Sequence, residues 1–158
     1  GNGLDGKELD PPPRNFQDNE RMRTISPFTA YNTIRLGIPG TGMKSHPTLD
    51  DDQVWDVAFY VVSLRYQPLS NNPFLKKETT EMFVDSISKE TIATKSDDEL
   101  AALYPLKDTI KQKLLLAAIR LRQAKAGESE FINTSLHYLS GAMELYLLGK
   151  YNDASQLA

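Results

Sequence analysis

The sequence SPFTAYNTIRLGIPGTGM, residues 26–43, decides the fold of the first half of the chain. Ser26 before Pro27 is typical of an N-cap followed by proline at the first helical position. The helix that follows is predicted to run to about Leu36, with Gly37 as its C-cap. A glycine-rich turn then ends in Met43. This stretch therefore predicts a helix and a tight turn that presents a methionine where no core is expected.

A second helix is predicted after this turn. Thr48, followed three residues later by Asp51, resembles a capping box, and apolar residues continue at helical spacing from Val54 to Leu64. Pro68 is expected to stop the helix. The segment QPLSNNPF, residues 67–74, holds two prolines and two asparagines and predicts a linker.

The second half of the chain, residues 75–158, is predicted to be helical throughout. One helix is expected over residues 79–92, and Ser96 with Glu99 forms a capping box for a short helix ending at Tyr104. Two longer helices, over residues 106–125 and 130–148, are joined by a short turn and predict a helical hairpin. The apolar stripe of the first of these two is Ile110, Leu114, Ala118 and Leu121. The fold class expected for the whole chain is all-α.

Composition excludes several function classes. The 158 residues carry a net charge of −3 without a basic stripe, so nucleic acid is not an expected partner. There is no cysteine, which excludes disulfides and thiolate chemistry within this chain. No Ser–His–Asp set, nucleophile elbow or phosphate-binding loop is present, so the chain is not predicted to be an enzyme. Because it begins at Gly1 and ends in what reads as the start of a helix, we expect both ends to be cut from a longer chain.

Four segments of residues 1–67 occur in the order found in one family. They are GNGLDG (residues 1–6), LDPPPRNF (9–16), GIPGTGM (37–43) and DDQVWDVAFYVVSLR (51–65). In this order they resemble the class I cytochrome c domain: the tail of its haem-attachment motif, its proline segment, its axial-methionine loop and its last helix. Residues 1–67 are therefore expected to be a truncated class I cytochrome c-like domain, followed by the linker at 68–74.

The resemblance implies a haem c cofactor in the intact protein, with Met43 as an axial ligand of the haem iron. A thioether is a soft, neutral ligand that raises the reduction potential. Arg14 is implied either as a partner of a haem propionate or as a solvated loop arginine, and both remain open. Pro12 and Pro13 are implied to shape the haem pocket, and Trp55 to pack in the core or at the haem edge.

The attachment motif Cys-x-x-Cys-His is absent, so this chain as given cannot bind haem covalently. The resemblance places that motif just upstream of Gly1. His46 is a substitute iron ligand in one interpretation and an exposed loop histidine in the preferred one.

Residues 75–158 bear a second resemblance, carried by SDDELAALYP (residues 96–105) and AMELYLLGKYNDASQLA (142–158). They are similar to the extracytoplasmic helical region of bacterial Ftr-type iron permeases. This implies electron transfer coupled to iron uptake at the outer face of the cytoplasmic membrane, with a permease domain downstream and an unidentified electron-transfer partner. The alternative is a haem-free helical module for interaction or iron presentation. A free monohaem carrier would leave the helical half unexplained.

Iron is a further candidate ligand of the helical half. Glu130, His137 and Glu144 recur every seven residues on one predicted helix face. Seven residues rise about 10.5 Å, too far for two of them to share an ion, so a polar outer face is the preferred interpretation.

The apolar face around Trp55 is expected to be covered by residues 75–158 or by a second copy in a homodimer.

Overall fold

The computed structural model describes residues 8–126, which are all-α and contain no strand. Seven α-helices and two 3-10 helices lie within this range. In chain order they are α1 (Asn19–Met22), α2 (Pro27–Leu36), α3 (Asp51–Ser63), the 3-10 helices Leu64–Leu69 and Pro73–Lys76, α4 (Glu78–Ser86), α5 (Lys89–Thr94), α6 (Asp97–Leu103) and α7 (Thr109–Ala126). The all-α prediction is therefore confirmed for this part of the chain.

Helices α2 and α3 pack against each other along one apolar face. The first begins as expected: the Ser26 hydroxyl accepts a hydrogen bond from the Thr29 amide at 3.1 Å, and Pro27 is the first helical residue. Apolar side chains four residues apart lie on one side of a helix. The buried members of this cluster are Ala30, Ile34, Val54, Ala58 and Val62.

Helices α4 to α7 surround a second apolar cluster. Its buried residues are Val84, Ile87, Ile92, Leu100, Leu115, Ala118 and Ile119. The short helix α6 begins with the predicted capping box, in which Ser96 and Glu99 each accept a hydrogen bond from the other's backbone amide.

The two clusters meet where α3 crosses α7. Phe59 of α3 packs against the second cluster, and Tyr66 packs with the buried Ala117 and Leu121 of α7. The predicted linker at residues 68–74 contains the end of one 3-10 helix and the start of the other, with residues 70–72 between them. Residues 8–67 and 75–126 therefore share an apolar contact.

Several local predictions were wrong. The N-cap of helix α3 is Asp50 and not Thr48. The Asp50 carboxylate accepts a hydrogen bond from the Gln53 amide at 2.8 Å, and the two residues form a capping box. The helix ends at Ser63, before Pro68 is reached, and Pro68 lies inside a 3-10 helix.

The helix predicted over residues 79–92 is broken into α4 and α5. The Ser88 hydroxyl accepts a hydrogen bond from the Thr91 amide at 3.1 Å, so Ser88 is the N-cap of a new helix. A serine side chain can bond backbone amides in place of the helical carbonyls, which favours a helix end over a helix interior. Ile110 is 71% exposed at the start of α7, so the apolar stripe of that helix begins later than predicted. The partner helix over residues 130–148 lies outside the described residues.

Within residues 8–126, no helix is both long enough and apolar enough to cross a membrane.

Candidate functional site

The turn at residues 37–43, here called the Met43 turn, is closed by its own hydrogen bonds. The Ile38 amide donates to the Met43 carbonyl at 2.9 Å, and the Thr41 hydroxyl both donates to the Ile38 carbonyl and accepts from the Met43 amide. Gly37 adopts φ +69° at the end of α2. The turn therefore holds Met43 in a defined position without a helix of its own.

Gly37 is required by space as well as by conformation. A Cβ atom at this residue would lie 2.7 Å from the Met43 carbonyl oxygen, against backbone that cannot move aside cheaply. Gly40 also has a positive φ, +75°, but a Cβ there would meet nothing within 4 Å. Only a residue without a Cβ adopts such angles at little cost.

The Met43 side chain is partly buried and packs against the α2–α3 cluster. Several apolar side chains of residues 8–38 remain exposed: Leu9, Phe16, Phe28, Leu36 and Ile38. Leu9 lies beside Gly42, and Leu36 and Ile38 flank Gly37 in sequence. At least three exposed apolar side chains, Leu9, Leu36 and Ile38, therefore lie beside or within the turn.

A polar clamp ties the start of α3 to α2 and closes the segment that contains the turn. The Arg35 guanidinium donates to the Leu49 carbonyl and to the Asp51 carboxylate, which also accepts from the Tyr31 hydroxyl at 2.8 Å. The Tyr31 hydrogen bond and then Arg35 hold the pKa of Asp51 below its ordinary value. The sequence alone did not indicate this clamp, because Arg35 and Tyr31 lie 16 and 20 residues away from Asp51 along the chain.

Among the other residues implied by the cytochrome resemblance, Trp55 packs against the same α2–α3 cluster as Met43, whereas the proline segment lies at the surface. Pro12, Pro13 and Arg14 are exposed, and Arg14 makes no ion pair within residues 8–126. Trp55 is half-buried in the α2–α3 cluster, where its ring lies 4.5 Å from Tyr31 and 5.7 Å from Phe59 between centroids.

His46 lies on the surface of the described part of the chain. The side chain of His46 is exposed and its amide donates to the Ile34 carbonyl at 3.0 Å. Glu130, His137 and Glu144 lie outside the described residues. Across residues 8–126, no group of three or more histidine or acidic side chains is arranged to hold a metal ion.

Sequence reasoning also missed a buried ionic cluster, here called the Asp97 cluster, formed by Asp97, Arg65, Arg120 and Tyr66. The Asp97 carboxylate accepts hydrogen bonds from Arg65, from Tyr66 and from Arg120 Nε, the last at 2.7 Å. The side chains of Asp97 and Arg65 are each 2% exposed and that of Arg120 is 0% exposed. Burial, and then the charge of Asp97, raises the pKa of Tyr66, so its hydroxyl stays a donor.

The Asp97 cluster joins the two halves of the described chain. Arg120 also donates to the carbonyls of Ile92 and Lys95 at 2.7 and 2.6 Å. The amides of Asp97 and Asp98 donate to the Arg23 carbonyl at 3.0 and 3.2 Å. One feature of the sequence could have indicated the cluster: Arg120 lies between the apolar residues Ile119 and Leu121 of α7. A charged residue is seldom fully buried unless it is paired.

The chain was compared with known protein families, curated proteins and solved structures, and none of them matches it.

Proposed function

We propose that residues 1–67 form the distal part of a c-type haem domain that transfers electrons, coupled to iron uptake at the outer face of a bacterial membrane. The observation that carries the proposal is the Met43 turn. A hydrogen-bonded glycine turn after α2 holds Met43, whose side chain packs against the α2–α3 cluster and is only partly buried, and exposed apolar side chains lie nearby. This combination suits one face of a haem.

The residues present fit one side of a haem. Met43 would be a ligand of the haem iron, and the apolar side chains Leu36 and Ile38 beside the turn would help to exclude water from the haem. When bound, the haem supplies one-electron redox chemistry. The proposal requires a segment with two cysteines and a histidine ahead of Gly1, because this chain contains no cysteine.

The link to iron uptake rests on the resemblance of residues 75–158 to the extracytoplasmic region of iron permeases. In this proposal the protein is a redox and transport component rather than an enzyme. It is extracytoplasmic and attached to the membrane by a permease domain downstream. Iron is then cargo, and the apolar contact between the α2–α3 cluster and α7 would hold the haem domain against the helical region.

The test is the visible spectrum of the chain expressed with the residues that precede it in its natural protein and with the haem-attachment machinery. We expect a covalent haem spectrum with the weak red band of methionine-ligated ferric haem. Met43→Ala should abolish that band and lower the reduction potential, because the thioether favours ferrous iron.

The matched control is Met82→Ala, which removes a methionine that is 65% exposed on α4. This variant should keep both the band and the potential. A natural protein without covalent haem would overturn the proposal, as would a red band that survives in Met43→Ala. The helical interaction or iron-presenting module would then be tested by iron titration.

A further inference from the structure

A groove of about 100 Å³ lies between the second 3-10 helix (Pro73–Lys76), α4 and the C-terminal half of α7. Its floor is apolar and consists of Leu75, Val84, Ala118 and Leu121. All four belong to, or pack against, the apolar clusters of this half of the chain. A single water needs only about 10–15 Å³, so the groove has room for an apolar side chain.

The chain leaves α7 close to this groove. Helix α7 ends at Ala126, and Leu121 of the floor lies five residues earlier, about 7.5 Å along the helix. The sequence predicts a short turn after α7 and a further helix over residues 130–148. If that helix starts at Glu130 and returns antiparallel to α7, Leu136 lies about 9 Å along it and comes to the level of Leu121.

The sequence of the returning segment suits an apolar groove. Ile132, Leu136 and Leu139 are four and three residues apart, so they share one face of a helix. Burying this face against the floor of the groove removes apolar surface of both from water, which is favourable. The short connection also keeps the segment at a high effective concentration beside the groove, which favours it over a second copy of the chain.

The charges at the rim of the groove are compatible with this segment. Lys76, Glu81 and Arg122 lie at the rim, and Arg122 is already paired with Asp85 at 2.6 Å. Lys76 is exposed and makes no ion pair in the described part of the chain. Residues 130–148 contain two glutamates and no lysine or arginine. Lys76 is therefore available to an acidic side chain of the segment.

We propose that this groove is the docking surface for residues 130–140 of the same chain, which return antiparallel to α7 and place Ile132, Leu136 and Leu139 against its apolar floor. The structure thus adds, to the hairpin that the sequence predicts, the surface that the second helix covers. This contact is independent of the Met43 turn and of any haem.

The test is paramagnetic relaxation in NMR spectra of the whole chain. Because the chain has no cysteine, Thr134→Cys provides a single attachment point for a nitroxide spin label. Position 134 lies two residues from Leu136, on the opposite side of the predicted helix, so the label does not compete for the groove. We expect the amide signals of Thr80 and Val84 at the groove to lose most of their intensity, and those of α2 to keep theirs.

Two further variants of the spin-labelled chain form a matched pair. Leu136→Asn removes an apolar side chain of the proposed contact, whereas His137→Asn changes the polar residue beside it. Leu136→Asn should restore most of the intensity of the Thr80 and Val84 signals, and His137→Asn should leave them weak. Both substitutions lie outside residues 8–126, so the helices that form the groove are unchanged in sequence.

Three results would overturn the proposal. The first is full intensity of the Thr80 and Val84 signals in the spin-labelled chain. The second is an equal loss when spin-labelled chain is mixed with isotope-labelled chain that carries no spin label, which would put a second copy in the groove. The third is the same intensity in Leu136→Asn and His137→Asn, which would mean that the apolar face does not hold the segment.

Discussion

Gly37 and Gly40 share a positive φ but differ in what surrounds them. Gly37 ends α2 and lies against the backbone of residues 43–45, whereas Gly40 lies in open space at the tip of the same turn. Gly37 also has ψ −169°, a backbone conformation that is essentially restricted to glycine, so it is constrained both by its conformation and by its neighbours.

We predict that Gly40→Ala lowers the free energy of unfolding by about 1–2 kcal/mol, the cost of the left-handed region for a residue with a Cβ. Gly37→Ala should cost more, because its Cβ would also displace the backbone that carries Met43. Urea unfolding of the two variants measures this difference. Equal costs would show that the turn relaxes around position 37 freely.

Adjacent aspartates at the start of α6 have opposite surroundings. Asp97 is buried between two arginines, whereas Asp98 is exposed and pairs with the exposed Arg23. We predict that Asp97→Asn costs about 3–5 kcal/mol in urea unfolding, because it leaves two buried guanidinium groups without a counter-charge.

The control, Asp98→Asn, removes a surface ion pair and should cost about 0–1 kcal/mol. Similar losses in the two variants would mean that the Asp97 cluster has access to water in solution.

At the scale of the element, helix α6 depends on its capping box. The Glu99 carboxylate accepts a hydrogen bond from the Ser96 amide at 2.8 Å. This hydrogen bond is the main reason why the pKa of Glu99 is lowered. The folded state therefore binds a proton on Glu99 less readily than the unfolded state. Its contribution to stability is present above the ordinary value of 4.5 and is lost as pH falls through the lowered pKa.

We predict that the stability difference between the wild type and Glu99→Gln shrinks when the pH is lowered from 7 to below about 4. Urea unfolding across this range measures it. Ser96→Ala keeps the backbone amide that donates a hydrogen bond to the Glu99 carboxylate. Most of the pH dependence of stability that Glu99 causes should therefore survive in that variant. A difference that does not change with pH would contradict the assigned role of Glu99.

Sequence reasoning succeeded with elements whose signals are local. The caps Ser26, Gly37 and the Ser96–Glu99 pair were predicted, because each needs only a few neighbouring residues. It failed where two local signals compete: Asp50 displaced Thr48 as a cap, and Ser88 divided one expected helix into two.

Long-range polar contacts were not predictable in this way. Asp97 looked like an ordinary acidic residue in the first turn of a helix, and its burial depends on arginines 32 and 23 residues away. The clamp between Arg35 and Asp51 also depends on how α2 and α3 fold back on each other. Such partners become visible only once the packing of the helices is known.

At the scale of the whole molecule, residues 8–67 and 75–126 share buried surface and a buried ionic cluster. Trp55 is the single tryptophan of the chain and reports on the α2–α3 cluster, whereas Ile119 is fully buried in the cluster of α4 to α7. The two can therefore be used to ask whether the halves unfold together.

We predict one cooperative transition. Ile119→Ala should cost about 2–5 kcal/mol, as for a buried isoleucine, and should lower the urea midpoint of Trp55 fluorescence and of far-UV circular dichroism equally. Ile110→Ala, on the exposed start of the same helix, should change neither. A Trp55 midpoint that stays in place in Ile119→Ala would indicate two domains that unfold independently.

The Asp97 cluster has a consequence for how this sequence can change over generations. Losing Asp97 leaves two buried guanidinium groups without a counter-charge, and losing Arg65 or Arg120 removes a hydrogen-bond donor from the buried Asp97 carboxylate. Replacing all three with apolar residues of similar volume can be neutral. Single substitutions at these positions therefore face a barrier that a joint replacement does not. Related sequences are expected to keep the three residues together or to lose them together, so that positions 65, 97 and 120 are inherited as one unit.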